Sequence, residues 1–324
     1  MIDFRYHLVS IIAIFFALAA GIVLGAGPLG EKVNEDLPGQ LSAMREENRT
    51  LREDLESAQA DLGFQEDFLE ELTPRLVGNS LSGEHVAVIA MPGADADSVE
   101  ALQASLEQAG ATADLRVRIE PTWTDPDSEA TLDSLASDLV TSGTELSEDA
   151  DGFQRGATVL AAALLAQPDG DAAAGETVDT AAVTAFEESG LIDLEQDAST
   201  APTLAVAVAG SVSGDDAEDR VNRLVTLATQ LDAQSAGAVA AGPADTAEAG
   251  GLIATVRSDG DAAENVSTVD SVNLPSGRIS LAFALAEQNE GGVGHYGVVG
   301  ETDGVLPPVP ASPTTTEGSS EETP

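Results

Sequence analysis

Cysteine is absent from this chain of 324 residues, lysine occurs only at Lys32, and aromatic residues make up 3% of it. Without thiols there is no disulfide, no thiolate nucleophile and no thiolate metal site. A single lysine excludes a P-loop lysine, a Schiff-base lysine and a polybasic membrane switch together. Histidine and methionine are nearly as scarce: His7, His85 and His295, and Met1, Met44 and Met91, all far apart in sequence. Soft metal ions need clustered Cys or Met, and imidazole sites need several His, so no high-affinity transition-metal site is written within one subunit. Positive charge is also short. Thirteen Lys and Arg face 57 Asp and Glu, a net charge of −44, which repels nucleic acid and acidic lipid headgroups.

What the chain does have is concentrated near its start. Residues 8–30 form an uncharged apolar span, long enough for the roughly 20 residues that cross a bilayer core as a helix. Ala13, Ala17, Gly21 and Gly25 recur every fourth residue within it and place small side chains on one face for close helix packing. Leu41, Met44, Asn48, Leu51, Leu55, Ala58, Leu62, Gln65, Leu69 and Leu72 then follow alternating steps of three and four, the a/d seam of a coiled coil. Asn48 at an a position sets register and a two-stranded state. Glu47 at g pairs with Arg52 at the following e of a parallel partner, whereas Asp61 and Glu66 repel. The competing reading is one amphipathic helix folded back on its own domain. Pro38-Gly39 predicts a hinge between span and coil, and Pro74 closes the coil.

Arg5 and His7 precede the span, while Lys32, Arg45, Arg49 and Arg52 follow it, so the positive-inside count is ambiguous. A leading tail of only seven residues favours a cytoplasmic N-terminus, with the globular domain outside the cytoplasm. A cleaved signal peptide, cut near Gly25, Ala26 and Gly27, is the other reading; the long apolar run and barely basic start count against it.

From His85 the pattern alternates between short apolar runs and helical stretches. Residues 86–91, 115–119, 204–209, 238–241 and 266–269 read as strands. Residues 98–109, 128–141, 154–166, 181–188, 216–231 and 278–288 read as helices. Such alternation predicts a mostly parallel, three-layer α/β domain covered on both faces. The expected organisation is a tail and transmembrane helix over 1–30, a coil over 31–75, an α/β domain over 76–300 and a disordered acidic Pro/Thr/Ser tail over 301–324.

Catalysis finds little support. Gly210-Ser-Val-Ser-Gly214 centres on Val212, so it is not a nucleophile elbow, and Met91-Pro-Gly-Ala-Asp95 has one glycine where a dinucleotide turn needs three. No catalytic residue, cofactor or metal ligand is assigned. A candidate cleft is formed by Arg278, His295 and Tyr296, since an arginine among Ile279, Leu281 and Phe283 needs a partner and the glycines of Gly291-Gly-Val-Gly-His-Tyr-Gly297 permit close approach. A tight turn, with Arg278 bonded to a carboxylate or an orphan carbonyl, is the structural alternative.

Asp3-Phe-Arg-Tyr-His-Leu-Val-Ser10 followed by Ala17-Leu-Ala-Ala-Gly-Ile-Val-Leu-Gly25 closely resembles the opening of the MctB copper-transporter family of bacterial envelope proteins. Val269-Asp270, Gly277-Arg278, Ala284-Leu-Ala-Glu-Gln288 and Gly294-His-Tyr-Gly297 look like that family's C-terminal signature. The resemblance covers about residues 1–300. It implies membrane localisation and a role in copper homeostasis or efflux, and it supplies no catalytic residues. Some relatives, called SteB, are linked instead to cell separation as coiled-coil partners in the envelope. The expected partners are therefore a second copy in a parallel homodimer, the membrane and an envelope protein; copper enters by resemblance alone.

Overall fold

The computed structural model describes residues 4–25, 28–141, 144–167 and 177–308. Most of the acidic, glycine-rich loop at 167–177, and the expected tail from residue 309 onward, lie outside the described residues. The chain divides into two units, residues 1–65 and 66–324.

The first unit is helical. Helix α1 (Phe4–Gly25) carries no acidic residue in its first turn and no basic residue in its last. Its stretch Tyr6–Gly25 has a mean hydropathy of 2.7 and is the one helix among the described residues long and apolar enough to cross a membrane. Ala13, Ala17, Gly21 and Gly25 lie along one side of it. Nothing lies within 4 Å of a Cβ built on Gly21 or Gly25, so this side is open to a neighbour.

Helix α2 (Pro28–Leu76) is 49 residues long and opens on a proline, which loses no intrahelical hydrogen bond there. It runs unbroken through Pro38-Gly39, so the expected hinge is not a helix break. An internal proline removes one backbone hydrogen bond, and here the turns on either side continue across it. Pro74 likewise falls inside the last turn, two residues before the helix ends. Leu41, Met44, Leu51, Leu55 and Leu62, all on the heptad seam, are 50–60% exposed. Asn48 turns its amide back to the Met44 carbonyl, 3.0 Å away. The last turns of α2 belong to the second unit, where Leu69 packs against the core and Thr73 is buried.

The second unit is built on a mixed seven-stranded sheet. Its elements are β1 (His85–Ala90), α3 (Ala96–Gln108), β2 (Thr112–Ile119), α4 (Glu129–Leu139), α5 (Gly152–Leu164), α6 (Thr180–Glu188) and β3 (Ile192–Gln196). They continue as β4 (Leu204–Val208), α7 (Ala217–Ala233), β5 (Gly237–Ala241), α8 (Leu252–Ser258), α9 (Gly260–Asn265), β6 (Ser267–Val269), α10 (Pro275–Asn289) and β7 (His295–Tyr296). Strand order is β3-β2-β1-β4-β5-β6-β7, with β3 antiparallel to β2 and the other pairings parallel.

Alternation along the central strands feeds two apolar clusters. Val86, Val88, Leu204, Val206, Val208 and Val239 join residues of α3 and α10 in one cluster. Ala87, Ala205, Ala207, Ala238 and Ala240 join residues of α5 and α7 in the other, where small side chains let helices approach the sheet closely. At one edge, Asp193 and Glu195 of β3 face Arg116 and Arg118 of β2, with Arg116–Glu195 at 2.8 Å. Charge on an edge strand discourages pairing with a foreign strand. It also hides β3 from an alternation rule that looks for apolar runs.

Asp232, at the end of α7, accepts the Ala238 N–H at 3.0 Å on entry to β5. Burial pushes its carboxyl up from 3.8 to about 6, against the opposing effect of that hydrogen bond. A carboxyl raised on folding binds its proton more tightly in the native state, so its contribution to stability is full below about pH 3.8 and is lost as pH rises through about 6. Asp232→Asn keeps an acceptor oxygen and removes the ionisation. Thermal melts should show the variant more stable by about 1–2 kcal/mol at neutral pH and equal to the parent near pH 4.

Candidate functional site

Strands β1 and β4 are neighbours that hand the chain to opposite sides of the sheet, the switch point where parallel α/β sheets commonly take ligands. Here that crevice is closed by backbone. A Cβ on Gly210, just past β4, would lie 2.0 Å from the carbonyl carbon of Gly93, and one on Gly93 would lie 2.7 Å from the Ser211 oxygen. Gly93 also needs its φ of +83° to make the turn after β1. Beside them, a Cβ on Gly242 would meet the Thr246 hydroxyl at 2.5 Å. The loops that would carry a nucleotide or substrate instead lock onto one another.

Polar chemistry gathers at the opposite edge, around β6 and β7. Asp270, at the end of β6, is fully buried, and each of its oxygens is engaged. Oδ1 accepts from the Ser271 hydroxyl and the Val298 N–H at 2.9 Å; Oδ2 accepts from the Val299 N–H at 3.2 Å and from Arg257 at 3.3 Å. Arg257 of α8 spends its remaining donors on the Thr268 hydroxyl (2.8 Å) and the carbonyls of Val299 (2.6 Å) and Tyr296 (2.9 Å). Burial lowers its pKa from the usual arginine value, and the Asp270 charge resists this. Gly297, at φ +141°, leaves no room for a side chain, since a Cβ would fall 2.0 Å from Asp270 Oδ2.

Helix α10 joins the same network from the other side. Gln288 donates to the carbonyls of Ala238 and Asn265 and to the Ser267 hydroxyl, which also accepts the Gly294 N–H. Glu287 accepts the Tyr296 hydroxyl at 2.6 Å; burial and that carboxylate drive the phenol far above its usual range. Beyond β7 the chain stays attached: Gly304 bridges Tyr296, Asp303 accepts the His295 N–H at 2.9 Å, and Val305 accepts the Ser280 hydroxyl at 2.7 Å. Residues 301–305 therefore belong to the fold, beyond the boundary at 300 expected from composition.

The three residues of the expected cleft do not share one. His295 lines a cavity of about 440 Å³ with Arg257, Ser258, Glu301 and Asp303, and neither Arg278 nor Tyr296 is among its walls. Burial and the Arg257 cation hold the imidazole below its ordinary range, with Asp303 opposing them. The Thr268 hydroxyl, which accepts from Arg257 Nε, lies 3.1 Å from His295 Nδ1 and shares a hydrogen bond with it. Tyr296 points into the apolar cluster beside α10. Arg278 lies elsewhere on α10, nearly buried, donating to Glu70 of α2 (2.7 Å), the Ser105 hydroxyl of α3 (3.1 Å) and the Asn273 carbonyl (3.2 Å).

Among the described residues, no three His, Asp or Glu side chains cluster as metal ligands. His85 opens β1 and His295 opens β7, four strand steps apart, on the order of 20 Å. Met91 ends inside the core.

A family described as "Copper transport outer membrane protein, MctB" matches residues 1–307. The chain belongs to the MctB family. Copper transporter MctB of Mycobacterium tuberculosis and that of Mycobacterium bovis are each 30% identical to it over 312 residues, covering 92% of this chain and 96% of theirs. The Mycobacterium leprae protein of the same name is 28% identical over 317 residues, with the same coverage.

The geometry explains what the MctB-like C-terminal motifs do here. Asp270 pins the backbone after Gly297, Gly277 lets α10 pass the Ser271 carbonyl, and Gln288 ties α10 to β5 and β6. Arg257 and Asp303 carry little signal in the sequence, and for Arg257 it is only the rarity of arginine in so acidic a chain.

Proposed function

We propose that this MctB-family chain is a non-enzymatic, membrane-anchored envelope protein serving copper homeostasis or efflux, with copper as cargo of the system it belongs to. The full-length match to proteins named copper transporters carries this reading. α1 supplies the single-pass anchor in the cell membrane. Long following domains translocate largely regardless of charge, which supports an orientation with the three-layer α/β domain outside the cytoplasm.

The exposed heptad seam of α2, with Asn48 in an a position and Glu47 facing Arg52 of a partner, supports a parallel coiled-coil homodimer. The scattered His and Met residues favour action through an envelope partner over a metal cage in one subunit. A coiled-coil scaffold in envelope assembly or cell separation is the alternative that the same dispersal favours.

Cells lacking the chain should accumulate copper and grow poorly in copper-supplemented medium. Both defects should be reversed by the parent gene and equally by His295→Ala. Unchanged copper content and growth in the deletion strain would leave only the scaffold reading.

A further inference from the structure

The heptad seam continues in sequence to Leu72, yet the structure treats its two ends differently. Leu41, Leu55 and Leu62, all at a positions, are at least half exposed. Leu69, the next a residue, packs against the apolar cluster of α3 and α10. Thr73, which would flank a partner helix at e, is 3% exposed and donates its hydroxyl to the Leu69 carbonyl at 2.8 Å. One turn along, Glu70 is bonded to the nearly buried Arg278, which also holds Ser105 of α3. The end of α2 is thus already packed.

We infer that a second copy of this chain pairs with α2 only as far as Gln65, and that the copy and the chain's own globular unit compete for Leu69. The inference rests on the parallel-dimer reading above. A coiled coil needs each a and d side chain, with its e and g flanks, to seat against the facing helix. Leu69 and Thr73 cannot do so while they face the core.

Charge marks the same boundary. In a parallel pair Glu47 meets Arg52 of the other copy, an attraction, whereas Asp61 meets Glu66, a repulsion at the last step before the packed segment. The attractive flank, and the Asn48 amide, whose second N–H and oxygen are left for its twin once the first N–H is bonded to Met44, identify the occupant as a second copy rather than an unrelated helix. Zipping further would strip Leu69 from the core and leave Arg278 without its carboxylate, a cost that rises steeply for a buried cation. The dimer seam and the folded unit therefore meet at Gln65 and neither crosses it.

The chain has no cysteine, so single-cysteine variants report pairing without background. L55C, L62C, L69C and L72C of the full chain in membranes should be oxidised with diamide and run without reductant. L55C and L62C should form disulfide-linked dimers; L69C and L72C should not. Adding Glu66→Lys to L69C should raise its dimer yield, because the blocking repulsion becomes attraction. Equal dimer yields at all four positions would overturn the boundary while leaving the dimer intact. Failure of L55C and L62C as well would instead remove the dimer reading itself. Trp123, the only tryptophan and fully buried, reports whether each variant keeps its fold; if L69C loses native fluorescence, L72C carries the comparison.

Discussion

Asp270→Ala is expected to destabilise the globular unit by about 3–5 kcal/mol, the usual cost of removing one partner from a buried ion pair. Arg257 would stay in place as a nearly buried cation, and the N–H groups of Val298 and Val299 would lose their acceptor. A loss of that size in a unit of about 250 residues lowers the melting temperature by roughly 10 °C. Amide exchange should rise first around residues 296–299, because Asp270 and Arg257 bond the backbone of Tyr296, Val298 and Val299. Asp270→Asn should be only partly better, since its NH₂ would face the donors that the carboxylate now accepts. A melting temperature within a degree or two of the parent would refute this account of the corner.

Gly210→Ala should be the next most damaging change, costing about 3 kcal/mol or more. The added methyl would sit 2.0 Å from the Gly93 carbonyl carbon and 2.1 Å from the Ala94 nitrogen, and both are backbone atoms that cannot rotate away. Opening the β1/β4 crevice would expose the buried C-terminal ends of both strands. Gly260→Ala is the control. Nothing lies within 4 Å of a Cβ there, so its effect should stay within about 0.5 kcal/mol. Denaturant titration followed by Trp123 fluorescence separates the two; equal midpoints would mean that the crevice is not closed as described.

Much of this architecture was legible in the residues. Strands β1, β4 and β5 announce themselves because they are buried on both faces and read as unbroken apolar runs. Helices α3, α5 and α7 follow from their periodicity, whereas α10 is buried on nearly every side and shows only as an apolar run. β3 is hidden in the sequence because Asp193, Glu195 and Gln196 read as a loop; its pairing with β2 is what makes it a strand. β7 has two residues and depends on β6 and Gly304 for its definition. The expected cleft failed to form for a related reason: adjacent residues of a strand point to opposite faces, so His295 and Tyr296 part company at once. Pro38 misled in the other direction, since a local helix breaker was outweighed by the helix on either side of it.

By itself, the sequence determined the properties that depend on composition and short period. These are the uncharged span of α1, the heptad of α2, the α/β alternation, the excess of negative charge and the lack of clustered soft ligands. The tertiary structure alone decided the rest. Only folding brings Glu70 to Arg278 across 208 residues, packs the seam residue Leu69 against the core, seals Gly93 against Gly210 and closes Asp270 over the chain after Gly297. The reason is one of range. Helix and strand periods arise from neighbours three, four or two positions apart, whereas a buried charge or a closed crevice is defined by atoms that the chain brings together only when its core forms.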